Sequence, residues 1–176
     1  MADIAKLIRT IPNYPKEGIM FRDITTLIKD REGFAMTIDQ LCVRYANKKI
    51  AVIAGIEARG FIIGAAMALQ MKLGFVPIRK KGKLPGPTVG VSYKLEYGED
   101  HIEIHKDAIQ KGQRVLLVDD LIATGGTALG AAELIGRIGG ELVEACFIVD
   151  LPELKGGEKL RAKGIPYFAL VDFEGE

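Results

Sequence analysis

The stretch that decides the fold is residues 115–127, Val-Leu-Leu-Val-Asp-Asp-Leu-Ile-Ala-Thr-Gly-Gly-Thr. It begins with the apolar run Val115 to Val118, which is typical of a strand buried on both faces of a parallel sheet. Asp119 and Asp120 end the run, and the residues that follow 123–127 have helical spacing. The stretch therefore predicts a strand, an acidic pair, a glycine turn (residues 123–127) and a helix, in that order.

The glycine turn and the acidic pair suit different parts of one ligand. Backbone N–H groups at a helix N-terminus attract an anion, and Gly125 and Gly126 let the backbone approach a phosphate closely. Two carboxylates would repel a phosphate beside them, but they suit the hydroxyls of a sugar, or a cation, a few ångströms away. A ribose 5-phosphate fits the combination, whereas an ordinary strand-to-helix loop stays the alternative for either motif by itself.

Length and composition fit a single folded domain over residues 1–176, because 48% of the residues are apolar and 27% are charged. The net charge of +1 favours no nucleic-acid partner. No apolar run approaches the roughly 20 residues of a membrane span, and the N-terminus lacks the apolar region of a signal peptide. We therefore expect a cytoplasmic protein without a membrane partner, in which Cys42 and Cys146 are buried free thiols.

Strands alternate with helices along the rest of the chain. An apolar strand at 50–55 leads through a polar turn into a helix at about 61–71, and a strand at 75–78 ends in a basic cluster. The other expected elements are helices at 3–10, 30–47 and 154–163, strands at 142–151 and 165–171, and a strand-like stretch at 102–109. This alternation predicts an α/β fold with a doubly wound, mostly parallel sheet flanked by helices.

Ligands in such folds bind beyond the carboxyl ends of the strands. Three polar turns follow predicted strands and should therefore gather at one edge of the sheet, at 57–60, 79–83 and 119–127. Their convergence predicts one site.

Two segments are expected to cover that site. Residues 80–97 begin with a stretch rich in glycine and proline and continue with strand-like alternation, and a long irregular loop of this kind is usually functional. We expect a flexible lid there. Residues 18–25 are expected to form a loop or a short edge strand within a small N-terminal hood of about 1–33. His101 and His105 alternate along a strand-like stretch and are not expected to hold a metal.

Four stretches resemble the type I phosphoribosyltransferase family, and within it the adenine-specific branch. They are Met20-Phe-Arg-Asp-Ile24, Glu57-Ala-Arg-Gly-Phe61, residues 79–87 with 95–98, and the central string that includes the glycine turn. The resemblance covers nearly the whole chain. It implies transfer of ribose 5-phosphate from phosphoribosyl pyrophosphate (PRPP) to N9 of adenine, giving AMP and pyrophosphate, with Mg²⁺ as cofactor. It also implies a homodimer.

PRPP carries phosphate at both ends of its ribose, so two anion sites are required. One is the glycine turn, through Ala123, Thr124, Gly125, Gly126 and Thr127. The other is expected from four cations, Arg59, Arg79, Lys80 and Lys83, whereas Lys81 should face solvent. Asp119 and Asp120 then fall at the ribose 2′- and 3′-hydroxyls. Mg²⁺ should bridge the diol and the pyrophosphate of PRPP, with little direct ligation by protein.

Catalysis requires neutralising the leaving pyrophosphate and holding the reactants in place, a role expected of Arg59. Closure of the lid would exclude water, which is a competing nucleophile. The resemblance implies that Glu96 handles a proton on the adenine ring and that Tyr97 beside it belongs to the PRPP site. An exposed strand carboxylate is the alternative for Glu96.

The resemblance places adenine against Phe21, with its Watson–Crick edge read by the backbone of Met20 and Arg22. Leu121 and Ala123 would form an apolar floor. Related 6-oxopurine enzymes carry an aspartate where this chain has Ala123, so hypoxanthine and guanine are disfavoured. Plain core packing is the alternative for Phe21.

Two rival functions remain at this point. A PRPP-sensing regulator without transferase activity would be expected to carry a DNA-binding segment or a basic face, and the sequence offers neither. A different acceptor such as orotate would want extra cations near residues 18–24, where Arg22 is the one available. Adenine is therefore the preferred acceptor.

Overall fold

A computed structural model describes residues 3–95 and 98–175. Its strands are β1 (Arg9–Pro12), β2 (Met20–Asp23), β3 (Val52–Ile56), β4 (Gly74–Lys80), β5 (Thr88–Leu95), β6 (Gly98–His105), β7 (Arg114–Val118), β8 (Leu121–Ile122), β9 (Glu141–Asp150) and β10 (Tyr167–Asp172). Its helices are α1 (Ile4–Leu7), α2 (Thr25–Lys29), α3 (Arg31–Tyr45), α4 (Arg59–Met71), α5 (Gly126–Arg137) and α6 (Gly156–Ala162), with a short 3-10 helix at Pro152–Leu154.

The main sheet has the strand order β10-β9-β7-β3-β4-β6-β5, and β8 also pairs with β9. The strands from β10 to β4 in this order pair in parallel, whereas β6 pairs antiparallel with both β4 and β5. β1 and β2 form a separate antiparallel pair. The predicted doubly wound, mostly parallel sheet is confirmed.

The apolar run on β7 is buried on both faces of the sheet. Val115 and Leu117 pack into the cluster that contains the buried side chains of α5 and α6. Leu116 and Val118 point the other way, into the cluster that contains those of α1 to α4. All four side chains are fully buried, and each contributes on the order of 2 kcal/mol by leaving water. This explains why the run is unbroken rather than alternating.

Most predicted elements are present, with ends that differ by a few residues. The helix expected at 30–47 is α3, which begins after Asp30, whose carboxylate accepts a hydrogen bond from the Gly33 N–H at 2.7 Å. The helix expected from about residue 61 is α4, which begins two residues earlier, at Arg59. The strand expected at 75–78 is β4, which continues through Lys80, so part of the basic cluster belongs to a strand.

The helix predicted at 3–10 is wrong beyond Leu7. α1 ends there, and the chain continues as β1. Contacts with the following segment override the helical pattern: the Thr26 hydroxyl donates to the Leu7 carbonyl at 2.7 Å and accepts from the Arg9 N–H at 3.2 Å. Arg9 also forms an ion pair with Asp23. The expectation of an edge strand within 18–25 is confirmed, because β2 pairs with β1 alone in the described chain.

The long irregular lid predicted at 80–97 is shorter than expected. β5 occupies residues 88–95 and pairs antiparallel with β6, and the irregular part is 81–87. The pairing is stabilised by burial, because Val91, Ile102 and Ile104 all lie in the core. Gly130 of α5 leaves room for the hairpin, since a methyl group there would stand 3.1 Å from the Tyr93 ring. Glu96 and Tyr97 lie outside the described residues.

Two further expectations concern the cysteines and the membrane. Cys42 and Cys146 are buried and free, as expected. Within residues 3–95 and 98–175, no helix is long and apolar enough to cross a bilayer.

Candidate active site

The three polar turns do meet at one edge of the sheet, as the sequence predicts. Two adjoining cavities of about 210 and 200 Å³ lie there, and four residues line both of them: Arg59, Asp119, Asp120 and Thr127. The first cavity extends to Glu57 after β3, Lys80 at the end of β4, and Tyr93 and Asp100 of the β5–β6 hairpin. The second cavity lies over the glycine turn and reaches Leu121 and Phe147.

The glycine turn joins β8 to α5 and forms the wall of the second cavity. Gly125 has φ +81°, a left-handed conformation that glycine adopts without steric cost, and α5 begins at the next residue. The first hydrogen bond into the helix runs from the Leu129 N–H to the Gly125 carbonyl at 3.0 Å. The N–H groups of the first helical turn therefore have no acceptor within the helix, and together with the positive end of the helix dipole they favour an anion.

The two aspartates after β7 have different surroundings. Asp120 is 4% exposed and forms an ion pair with the Arg59 guanidinium. Asp119 is partly buried, and its carboxylate accepts the Asp120 N–H at 2.9 Å. The pKa of Asp119 is raised well above its ordinary value, mainly by burial and secondly by the negative charge of the neighbouring Asp120 carboxylate. Both residues line the two cavities, but in this structure Asp120 is engaged by Arg59 and Asp119 is the carboxylate with free acceptor capacity.

Arg59 connects the site to the N-terminal hood. It is the first residue of α4, and its guanidinium carbon lies 5.8 Å from the centre of the Phe21 ring on β2. Its Nε donates to Asp120. A close approach of α4 to β7 makes this possible, because a methyl group on Gly60 would stand 2.8 Å from the Val118 carbonyl oxygen. The hood aromatic, the cation and the acidic pair are thus brought together.

Of the predicted cations on β4 and the loop after it, Lys80 lines the first cavity. Its ammonium lies 3.2 Å from the Asp100 carboxylate, which raises the pKa of Lys80 through a hydrogen bond and a favourable charge interaction. Tyr93 also donates its hydroxyl to Asp100, at 3.3 Å. The first cavity therefore holds a cation that is already paired with a carboxylate of the hairpin.

The other two predicted cations, Arg79 and Lys83, are not among the described residues that line either cavity. Arg79 donates to the Glu57 carboxylate at 3.1 Å and to the Lys83 carbonyl at 3.2 Å. Lys83 and Lys81 are exposed, which agrees with the expectation that Lys81 faces solvent. Glu57 also accepts the Lys80 N–H at 2.9 Å, so it holds the end of β4 in place. A role for Arg79 and Lys83 in binding phosphate stays a prediction.

The strand β2, on which the base-binding residues are predicted, lies beside Arg59. The Phe21 ring packs edge-on against Tyr14 with 5.2 Å between ring centres, and Phe21 and Met20 both remain partly accessible. The Arg22 side chain points elsewhere: it donates to the Thr10 hydroxyl at 2.6 Å and to the Glu174 carbonyl at 2.8 Å. Because β2 pairs only with β1 in the described chain, alternate residues of β2 present backbone groups at an open edge.

Sequence reasoning missed Tyr93 and Asp100. They are cross-strand partners in the β5–β6 hairpin and enter the first cavity only because of that register. No local sequence motif identifies these two residues, because the sequence does not reveal which residues of the two strands stand opposite each other. Phe147 of β9 was also missed in the second cavity, where it is an inward-facing member of an apolar strand. Leu121 and Ala123 both line this cavity.

A glycine turn at a helix N-terminus and an acidic pair, both at one edge of a parallel sheet, are the arrangement expected of a phosphoribosyltransferase. The phosphoribosyl transferase domain family matches residues 25–167. A relative from Azorhizobium caulinodans named adenine phosphoribosyltransferase is 58% identical over 175 residues, with 99% of this chain and 98% of the relative covered.

Solved structures agree. The adenine phosphoribosyltransferase of Thermoanaerobacter pseudethanolicus superposes with a TM-score of 0.93 at 46% identity, covering 97% of this chain and 98% of its own. That of Saccharomyces cerevisiae, complexed with an imino-altritol bisphosphate and adenine, has a TM-score of 0.89 at 41% identity, with 96% of both chains covered. The chain belongs to the adenine phosphoribosyltransferase family.

Proposed function

We propose that this chain transfers ribose 5-phosphate from PRPP to N9 of adenine, releasing AMP and pyrophosphate, in purine salvage. The observation that carries the proposal is the position of Arg59 between the Phe21 ring and the Asp120 carboxylate. This arrangement supports an aromatic base subsite at Phe21 beside a sugar subsite at the acidic pair, as a transfer between the two requires. Full-length relatives with this activity in their names support the same reaction.

The roles proposed for the ribose 5-phosphate end follow from hydrogen-bonding capacity. The 5′-phosphate binds to the N–H groups and the threonine hydroxyls of the glycine turn. Asp119 accepts from the ribose hydroxyls, because its carboxylate faces both cavities and is not engaged by a cation at hydrogen-bond distance in the described chain. Asp120 holds Arg59 and acts on the sugar through its remaining lone pairs.

The pyrophosphate end of PRPP fits the first cavity, with Arg59 and Lys80 as its cations. As pyrophosphate leaves, positive charge develops at C1′ and negative charge on the departing oxygen. Arg59 and Lys80 lower the barrier by neutralising the latter in a fixed position. Glu96 is proposed to handle the proton on the adenine ring and Tyr97 to complete the PRPP site, as the family resemblance implies. Closure of the lid over the site is proposed to exclude water from C1′.

Adenine recognition is proposed at the open edge of β2, with the base packed against Phe21 and over the floor of Leu121 and Ala123. A backbone carbonyl there accepts from the 6-amino group and an N–H donates to N1, through Met20 and Arg22. Hypoxanthine reverses both polarities, so each buried mismatch costs about 1–3 kcal/mol. Two mismatches together give a discrimination of about a thousandfold or more.

The donor set suits Mg²⁺, because the first cavity presents carboxylate oxygens from Glu57, Asp100, Asp119 and Asp120. Within the described residues, no three acidic, histidine or cysteine side chains are grouped so as to hold a metal by themselves. We therefore expect the ion to be held chiefly by substrate and water oxygens, with little direct ligation by the protein. When bound, Mg²⁺ supplies charge neutralisation for the pyrophosphate.

The reaction is tested with purified protein, PRPP and adenine, in the presence of Mg²⁺ and after its removal by chelation. AMP and pyrophosphate should form in equal amounts, and chelation should abolish both, with recovery on adding Mg²⁺ back. Binding of PRPP without formation of any nucleotide would contradict the proposal and favour a regulator.

A homodimer and a cytoplasmic location complete the proposal. Support for a subunit contact comes from large apolar side chains that the described chain leaves exposed on α3 and α4: Val43 is 76%, Ile62 44% and Leu69 82% exposed. Ile62 and Leu69 are seven residues apart and share a face of α4. Leu69→Lys should shift the sedimentation of the protein from dimer to monomer, whereas a monomeric wild-type protein would contradict this part of the proposal.

A further inference from the structure

The glycine turn, which lines the second cavity, also contacts α6. Lys159 of α6 donates its ammonium to the Thr124 carbonyl oxygen at 2.9 Å. The backbone of Gly156 at the start of α6 lies directly against the turn. A methyl group on Gly156 would stand 2.2 Å from the Ala123 carbonyl oxygen and 2.8 Å from the Gly125 nitrogen. The turn thus touches α6 through backbone contact and through one lysine.

The Lys159 contact bears on the direction of an N–H group in the turn. The Thr124 carbonyl and the Gly125 N–H belong to one planar peptide unit, in which a trans arrangement points them in opposite directions. A donor that holds the carbonyl therefore also fixes the direction of the Gly125 N–H, and both Thr124 and Gly125 line the second cavity. The ammonium also polarises the peptide and makes its N–H a stronger donor.

The helix α6, which carries Lys159, is held in place by packing against the rest of the domain. Leu160 is fully buried. Gly157 lies against the Tyr167 ring, since a methyl group on it would stand 2.0 Å from the Tyr167 hydroxyl oxygen. That hydroxyl donates to the Asp150 carboxylate at 2.9 Å, and Asp150 is 5% exposed at the end of β9. The same strand end pairs with β8, which leads into the glycine turn.

We infer that Lys159 is a positioning residue for the glycine turn: it holds the Thr124–Gly125 peptide so that its N–H faces the 5′-phosphate of the substrate. Lys159 is exposed and is not among the described residues that line either cavity, so it acts through the turn. This inference rests on the proposed function, in which the turn binds the phosphate.

The test compares Lys159→Met with Lys159→Arg and with Lys163→Met. Lys163 lies one helical turn further along and is exposed, so its replacement removes the same charge without touching the glycine turn. Each variant is assayed for its KM for PRPP, its KM for adenine and its kcat. Calorimetry with ribose 5-phosphate measures the phosphate site directly, and a thermal melt checks folding.

Lys159→Met should raise the KM for PRPP and the Kd for ribose 5-phosphate by about five- to tenfold, the effect of losing one solvent-exposed hydrogen bond. The KM for adenine should stay within twofold, and Lys159→Arg should restore binding. Unchanged ribose 5-phosphate binding in Lys159→Met, or an equal loss in Lys163→Met, would overturn the inference. A wild-type protein that binds ribose 5-phosphate but makes no AMP would refute the proposed function and leave the test of Lys159 intact. A wild-type protein that neither binds ribose 5-phosphate nor makes AMP would refute the proposed function and the inference about Lys159 together.

Discussion

At the scale of single residues, the site depends on which charges are already satisfied within the protein. Asp120 and Lys80 each have an oppositely charged partner, whereas Asp119 is partly buried beside another carboxylate. Burying a charge without a cation costs stability, and such groups are found where chemistry needs them. The three residues therefore respond differently to neutral substitutions.

Replacing Asp119 by Asn should stabilise the protein while reducing its activity. Because its pKa is raised in the folded state, the charged form of Asp119 opposes folding at neutral pH, and Asn removes that penalty. We expect a higher Tm at pH 7 and a kcat/KM for PRPP lower by about 10- to 100-fold. The gain in Tm should disappear below pH 3.8, the ordinary pKa of Asp, where the carboxyl is protonated in both states.

Asp120→Asn serves as the contrasting variant. It leaves the Arg59 guanidinium without its ion-pair partner, so its Tm should fall rather than rise. Thermal melts of both variants at pH 7 decide the point. If both variants changed the Tm in the same direction, Asp119 could not be the unpaired carboxylate and Asp120 the carboxylate paired with Arg59.

Asp100→Asn should strengthen PRPP binding. The Asp100 carboxylate pairs with Lys80 in the cavity proposed for pyrophosphate, where it both neutralises the lysine and repels the incoming anion. Its removal should lower the KM for PRPP by about two- to fivefold, as expected for one partly exposed charge. Glu99→Gln, which removes an exposed charge from the adjacent position, should have no such effect. A higher KM for PRPP in Asp100→Asn would contradict this prediction and would show that Asp100 holds Lys80 in position for PRPP.

At the scale of elements, the site depends on how closely α4 approaches β7. The contact runs through Gly60, whose position leaves no room for a methyl group beside the Val118 carbonyl and Asp119. The same approach brings Arg59 to Asp120 and to the hood. The spacing of these two elements therefore sets the geometry of both cavities.

Gly60→Ala should push α4 away from β7, cost about 1–3 kcal/mol of stability and raise the KM for PRPP. Gly136→Ala is the matched control, because Gly136 is also helical and exposed and a methyl group there meets nothing within 4 Å. The control should gain about 0.5–1 kcal/mol, since alanine favours a helix over glycine. Denaturant unfolding compares the two, and a neutral Gly60→Ala would mean that α4 can move without consequence.

The elements also show how far sequence reasoning reaches. Periodicity and local turn chemistry found β3, β7, α4 and α5 because these carry long apolar runs or fixed spacing. The same reasoning found the glycine turn and the acidic pair, in which the chemistry lies in consecutive residues. It was wrong at Arg9–Pro12, where pairing with β2 replaces the predicted helix, and it indicated strand-like stretches within 80–97 and at 102–109 but did not predict that they pair with each other. Tyr93 and Asp100 enter the site by that pairing alone, and no local pattern reveals it.

At the scale of the whole molecule, a second ionic cluster lies away from the site and joins α3 to β9. Glu144 is 5% exposed and accepts from Arg44 at 3.1 Å and from Lys48 at 3.2 Å. Burial alone would raise the pKa of Glu144, but the Tyr45 hydroxyl and the Arg44 and Lys48 cations outweigh it, so this pKa lies below its ordinary value of 4.5. The cluster therefore contributes stability that depends on pH.

The sign of that dependence is fixed by the lowered pKa. The contribution of Glu144 is fully present above pH 4.5 and is lost as the pH falls through its folded pKa. Glu144→Gln should lower the free energy of unfolding by about 1–3 kcal/mol at pH 7, with a difference that shrinks in acid. Glu141→Gln on the same strand breaks a pair whose carboxylate side is 57% exposed and should change little. Equal effects of the two variants between pH 7 and pH 3 would contradict the assignment.

The central claim is that one site joins a PRPP pocket to a base pocket that reads adenine. The most direct test gives the protein PRPP, Mg²⁺ and an equimolar mixture of adenine and hypoxanthine, and measures AMP and IMP together. The account predicts AMP in excess of IMP by about a thousandfold, because hypoxanthine mismatches two backbone groups on β2. IMP formed at a comparable rate would contradict the account, because the protein would then use PRPP without selecting adenine over hypoxanthine.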